Sequence, residues 1–154
     1  MMHKQWLSQE DFETIYSKVP RLNVDLVIHD LKEGIVLVRR SIEPSIGSWH
    51  LPGGTVYKTE TVEDASKRVA KNETGFDVEV TRCLGYMEFP HEKRGSIEVH
   101  TISIAMEVKI IGGELKKDNN AQEIGIFTEL PFPFLPGHDE FLISHKLLVA
   151  KKSD

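Results

Sequence analysis

The spacing of apolar residues changes along the chain, and each change predicts an element. In "LSQEDFETIYSKV", Leu7, Phe12, Ile15 and Tyr16 fall on one side, Ser8 stands as N-cap and acids fill the first turn, which predicts an amphipathic helix. "NVDLVIHD" and "GIVLVRR" are short β-branched runs parted near Lys32 to Gly34, the pattern of an antiparallel hairpin. "EPSIGSWHLPGG" is punctuated by Pro44, Gly47, Pro52, Gly53 and Gly54 and predicts loop, with one short extended piece at Trp49 to Leu51. A helix over about Thr61 to Asn72 follows, with Gly75 placed to terminate it. "DVEVTRCLGYMEF" and "SIEVHTISIAMEVKI" are strand candidates, and both alternating sets of the second are largely apolar, which predicts a central strand covered on both faces. Between them "PHEKRG", with His91, Lys93 and Arg94, predicts a solvated basic hairpin loop; a lid over substrate phosphates is the other reading. "QEIGIFTEL" adds a strand, and Gly137 and His138 introduce a last helix with Phe141, Leu142, His145, Leu148 and Val149 as its stripe. This order predicts an α/β fold, a mixed sheet sandwiched by helices.

At 154 residues the chain fits one domain with a real apolar core, and 40% hydrophobic against 28% charged residues excludes a disordered or membrane protein. No run approaches the roughly eighteen apolar residues of a membrane span, so a soluble cytoplasmic protein is expected. The single cysteine, Cys83, excludes an intrachain disulfide and reads as an inert core or strand thiol. A formal charge of −5 argues against nucleic acid binding through a broad basic face. An anionic small ligand would therefore need local arginines or a divalent cation.

Chemistry concentrates in "GGTVYKTETVEDASKRVAKNETGF". Glu60, Asp64 and Arg68 stand at successive i,i+4 positions, as do Glu63 and Lys67, while Glu73 shares a helix side with Val69. Taken alone this is a well-charged surface helix. Its fixed intervals, however, resemble the Nudix box: Gly54, five residues, Glu60, seven residues, Arg68, then Glu73, Gly75 and Phe76 in the closing positions. "GSWHLPGG" before it and "EIGIFTELPF" after it extend the likeness over nearly the whole chain. The resemblance implies the Nudix α/β/α sandwich and a hydrolase of nucleoside diphosphate derivatives. Two of the box's three metal-coordinating glutamates are replaced, by Val69 and Asn72, which weakens a multi-metal pyrophosphatase site.

"WLSQEDFETI", "NVDLVI", Arg39 with Arg40, and "EPSIGSWHLPGG" are similar to the GDP-mannose mannosyl hydrolases, an atypical Nudix branch that also lacks two box glutamates and cleaves the glycosidic bond. The resemblance implies magnesium, or manganese in its place, held by Gly53, Glu73 and Asn120. It places Arg40 and Arg68 at the diphosphate, Asp25 near the sugar or the leaving group, and Trp6, Leu7 and Phe12 along the base. Ala121 stands where the branch has a general-base histidine, and Thr55 where it has an arginine. Glu123, His91 and His100 are the candidate substitutes for the missing base.

The function expected is magnesium-dependent hydrolysis of a nucleotide sugar resembling GDP-mannose, at the glycosidic bond. Cleavage of the pyrophosphate is the close alternative, and a catalytically weakened nucleotide-binding protein is the other. The aromatic N-terminus and the branch resemblance predict a homodimer, with no nucleic acid or membrane partner.

Overall fold

The computed structural model describes residues 6–30, 34–41, 45–117 and 121–150. Helix α1 spans Gln9–Tyr16, and Ser8 caps it by accepting from the Asp11 N–H at 3.0 Å. It buries none of its residues and rests against the sheet edge, where the Ser96 hydroxyl donates to Glu13 at 3.1 Å. Strands β1 (Arg21–His29) and β2 (Ile35–Arg40) form the expected antiparallel hairpin, paired at His29 and Ile35. Beyond that base they diverge. β4 (Gly53–Thr55) takes the place beside β1, pairing antiparallel with Asn23 to Asp25, while β2 pairs with β3 (Trp49–His50) and β7 (Ala121–Phe127). β5 (Phe76–Arg94) and β6 (Ile97–Gly113) form a long antiparallel pair, and β6 runs parallel to β1 from Arg21 opposite Thr101 to His29 opposite Lys109. The result is one mixed sheet of seven strands.

Alternation along β1 sorts the core into two. Val24, Leu26 and Ile28 point to one face and pack with Ala65, Val69 and Ala70 of helix α2 (Val62–Thr74). Val27 points to the other face and packs with Phe141 and Leu142 of helix α3 (His138–Ser144), together with Trp49 and Leu51. Helices thus cover both faces, as an α/β/α sandwich requires. Helix α2 follows its local signals: the Thr61 hydroxyl accepts from the Asp64 N–H at 3.0 Å, Glu63 pairs with Lys67 at 3.1 Å, and Gly75 closes the helix at φ 82°.

Three expectations change. The segment around His91 to Arg94 is strand rather than loop, because β5 continues to Arg94 and turns only at Gly95 and Ser96. β6 is flanked by β1 and β5 as expected, yet Ile102 and Ile104 stay only partly buried, so one face is covered fully and the other in part. The last helix stops at Ser144: Lys146 adopts φ 57°, the chain turns back so that the Leu147 N–H reaches the Leu142 carbonyl, and Val149 lies exposed. Cys83 sits in β5 and is exposed.

Gly75 is the position where backbone conformation is most demanding, since a Cβ there would overlap the Glu114 carbonyl oxygen on top of the left-handed strain. Gly75→Ala is expected to lower the unfolding free energy by at least about 1 kcal/mol in urea denaturation.

Candidate active site

Where β1 and β2 diverge, two continuous cavities of about 510 and 210 Å³ form one cleft and share Arg21, Asn23, Arg40, His50, Gly53 and Arg94. Its floor comes from the alternation of β1: Arg21, Asn23 and Asp25 occupy successive positions on the face opposite Val24 and Leu26. Thr101 and Ser103 of β6 lie beside them in register.

Cations dominate one part. Arg21 is buried and donates to Thr101, to Thr55 at 3.3 Å and to Glu92 at 3.1 Å. Arg94 donates to the same Glu92 oxygen at 2.8 Å. Burial, and after it the nearby Arg94, lower the Arg21 guanidinium to about 10, and the same two causes lower Arg40. Burial raises Glu92, but Arg94 and Arg21 outweigh it and hold the carboxylate ionised below its ordinary range. Three guanidinium groups thus crowd about one glutamate.

At the box, the Gly53 N–H donates to Glu73 at 3.0 Å, so the two residues expected as metal ligands do meet. Val69 is buried in the core, and a Cβ on Gly54 would lie 3.0 Å from its methyl group. Val69 thus serves the core and offers a cation no oxygen. Among the described residues no three histidine, cysteine, aspartate or glutamate side chains gather as a metal site. Asn120 lies outside the described residues.

Asp25 is fully buried; its Oδ2 accepts from the Ser103 hydroxyl and faces His138 Nε2 at 3.7 Å. Burial pushes the Asp25 carboxyl up to about 6, only partly opposed by Ser103. His138 Nδ1 accepts from the Leu51 N–H at 3.2 Å, which leaves the proton of the neutral ring on Nε2. His50 Nδ1 donates to the Leu51 carbonyl at 2.7 Å. Burial pushes both histidines down to about 4, helped at His50 by its neighbour His138.

Other sequence candidates lie elsewhere. Arg68 grips both Glu60 oxygens at 2.7 and 3.0 Å, donates to the Thr55 carbonyl at 2.7 Å and stacks on Tyr57 at 3.7 Å, so it braces the glycine loop instead of lining the cleft. Glu123 is 57% exposed and pairs with Arg39 at 2.9 Å. Alternation along β2 sends Arg39 outward and Arg40 into the cleft, and the register shift between them skips position 122 of β7, so Glu123 stands opposite Arg39 while Ala121 stands opposite Arg40 and reaches the lining. Trp6 packs against Tyr57 with ring centroids 4.8 Å apart and the rings tilted by 37°, and Phe12 packs edge-on against Tyr16 at 4.9 Å. Neither they nor Leu7 lines the cleft. His91 reaches the rim but pairs with Glu98 at 2.8 Å, and His100 does not line the cleft.

Residues 19–142 match the NUDIX domain family. The chain is 36% identical over 79% of its length to the low-salt glycan biosynthesis protein Agl8 of Haloferax volcanii, covering 79% of that protein. It is 38% identical over 80% of its length to an ADP-ribose pyrophosphatase of Methanocaldococcus jannaschii, covering 71% of it. Its fold superposes on the crystal structure of a MutT NUDIX hydrolase from Burkholderia pseudomallei with TM-score 0.71 and 25% identity, over 81% of this chain and 97% of that one. No helix among the described residues is long and apolar enough to cross a membrane.

The buried groups set opposite pH dependences. His50 and His138 titrate near 4 folded and 6.5 unfolded, so they contribute stability above pH 6.5 that is lost as pH falls towards 4. Asp25, raised from 3.8 to about 6, contributes stability at low pH that is lost as pH rises across that interval. Urea unfolding of the wild type should therefore show stability climbing from pH 4 to 6.5 with Asp25 working against the climb. Asp25→Asn should make it steeper; an unchanged slope contradicts the buried-carboxylate assignment.

Proposed function

Because the chain belongs to the NUDIX family, we propose that it hydrolyses a nucleoside diphosphate carrying a further group on its β-phosphate. The convergence of Arg21, Arg40 and Arg94 carries this reading. Burying like charges side by side is unfavourable, and Arg94 disfavours the charged form of both Arg21 and Arg40 within the cleft. A diphosphate is an anion that relieves this repulsion, and guanidinium forks match phosphate oxygens in pairs.

A divalent cation fits in a limited way. Magnesium takes oxygen ligands, retains water and commonly uses one or two carboxylates plus substrate phosphates. Glu73 and the Gly53 carbonyl match one magnesium, or manganese, shared with the substrate, whereas buried Val69 denies the donor set for a protein-held cluster. Bound there, the ion would offset phosphate charge and favour departure of the leaving group. The arginines hold and orient the diphosphate, and Arg68 with Glu60 keeps the glycine loop in place beneath it.

For the bond broken, the name of the Methanocaldococcus relative supports attack at phosphorus, the reverse of the order that the sequence favours. Attack at the anomeric carbon, as in the GDP-mannose mannosyl hydrolase branch, remains as a second reading because Val69 and Asn72 replace two box carboxylates while buried Asp25 lies deep in the cleft. We also propose a homodimer, supported by the exposure of Trp6, Ile15, Val19 and Leu22 near the N-terminus. Light scattering should give twice the monomer mass; a monomer at micromolar concentration overturns it.

Incubation with ADP-ribose and with GDP-mannose in oxygen-18 water and magnesium tests the function. Label in a phosphate product with release of nucleoside monophosphate is expected, and label in the sugar hydroxyl with release of nucleoside diphosphate selects the second reading. Glu73→Gln should cut the rate at least about tenfold and raise the magnesium needed for half-maximal rate. No turnover of either compound refutes both readings.

A further inference from the structure

The polar face of β1 holds a group that diphosphate binding does not employ. Asn23 is 8% exposed, lines both lobes of the cleft, and its amide oxygen is buried without a hydrogen-bond partner. Buried amides are nearly always satisfied, so an exception in a cleft points to a ligand or water that completes it. Its neighbours are engaged: Arg21 spends its donors on Thr101, Thr55 and Glu92, and the Ser103 hydroxyl is given to Asp25.

One residue further along the same face is a second incomplete contact. His138 Nε2 and Asp25 Oδ2 stand 3.7 Å apart, beyond hydrogen-bond length. The Leu51 N–H fixes the tautomer so that the donor Nε2–H faces the acceptor carboxylate. The separation is too short for an oxygen to enter between the two atoms, but a hydroxyl beside the pair is within reach of both, accepting from the ring and donating to Asp25. Phosphate oxygens cannot: they accept only, and next to Asp25 they would meet like charge. The chemistry of this part of the cleft is therefore that of hydroxyl recognition, in contrast to the all-donor arginine cluster.

Resting on the diphosphate reading, we propose that Asn23 and the Asp25–His138 pair recognise hydroxyls of a sugar ring on the β-phosphate, which makes Asn23 a specificity-determining residue. The larger lobe, about 510 Å³, is of the size that small-ligand sites have. A ring presents several hydroxyls a few ångströms apart, and each both donates and accepts. Rotating the Asn23 amide exchanges its oxygen and nitrogen, so either orientation finds a partner. The edge of a nucleobase also offers N–H donors and is the competing occupant.

Asn23→Leu keeps the branched side-chain skeleton and removes the amide. For whichever of ADP-ribose or GDP-mannose the wild type hydrolyses, kcat/KM should fall tenfold or more in the variant, while inhibition by the matching ADP or GDP changes less than twofold. A parallel loss of both overturns the proposal and assigns Asn23 to the nucleotide; no loss in kcat/KM also overturns it. A wild-type arm is independent of how the variant folds: the methyl ester of ADP or GDP should be hydrolysed at least tenfold less efficiently than the sugar derivative, and equal efficiency overturns the proposal. If neither ADP nor GDP inhibits or binds the wild type, the diphosphate reading itself fails and takes this one with it.

Discussion

The grip of β6 on β1 is the constraint from which the cleft follows. Nine successive residues of β1 are held in parallel register, so no slip is available that keeps the ladder intact. Slipping by one residue would send Arg21, Asn23 and Asp25 into the α2 core and Val24 and Leu26 into the cleft, at a prohibitive cost in desolvated charge. With that edge fixed, the opposite edge is shared: β2 meets β1 only at the hairpin base and β4 takes over near Asp25. The divergence opens the sheet where the polar side chains lie. Site and core are thus two faces of one strand.

The electrostatics of the chain work at two ranges. Its overall charge of −5 repels a polyanion at a distance, and salt screens that repulsion over about 10 Å at ordinary ionic strength. Inside the cleft the local balance is different, because three arginines share Glu92 as a close counter-ion and burial reduces screening. The deeper part holds neutral histidines and a carboxyl whose ionisation burial opposes. A ligand therefore meets cationic donors and, beyond them, a nearly neutral polar wall.

What the sequence made legible was mostly local. Thr61, the Glu63–Lys67 pair and Gly75 act within one helix, and the structure extends that helix by two residues beyond Asn72, to Thr74. The Gly53–Glu73 contact was legible because the box interval encodes it. Arg21, Asn23, His50 and His138 escaped because their convergence depends on strand register and on α3 docking back over the sheet, neither of which leaves a short-range mark. The one available signal was the polar alternation Arg21, Asn23, Asp25 within an otherwise apolar strand. Arg68 and Glu123 were misplaced for related reasons: the first is consumed by Glu60 and a carbonyl, and register sets the second opposite the outward Arg39. The final helix was overextended because Leu148 is apolar and buried, yet it reaches the core after a turn.

Tyr57 joins two parts of the molecule that lie far apart in sequence, since Trp6 packs against its ring and the Arg68 guanidinium lies over that same ring. The two tryptophans consequently sit in different surroundings. Trp49 is sealed in the core beside Phe127, while Trp6 is partly exposed and coupled through Tyr57 to the clamp that fixes the glycine loop. The protein therefore carries its own optical gauge: the red-shifted, quencher-accessible part of its fluorescence belongs to Trp6 and follows the box loop, whereas the shielded part belongs to Trp49 and follows the fold as a whole.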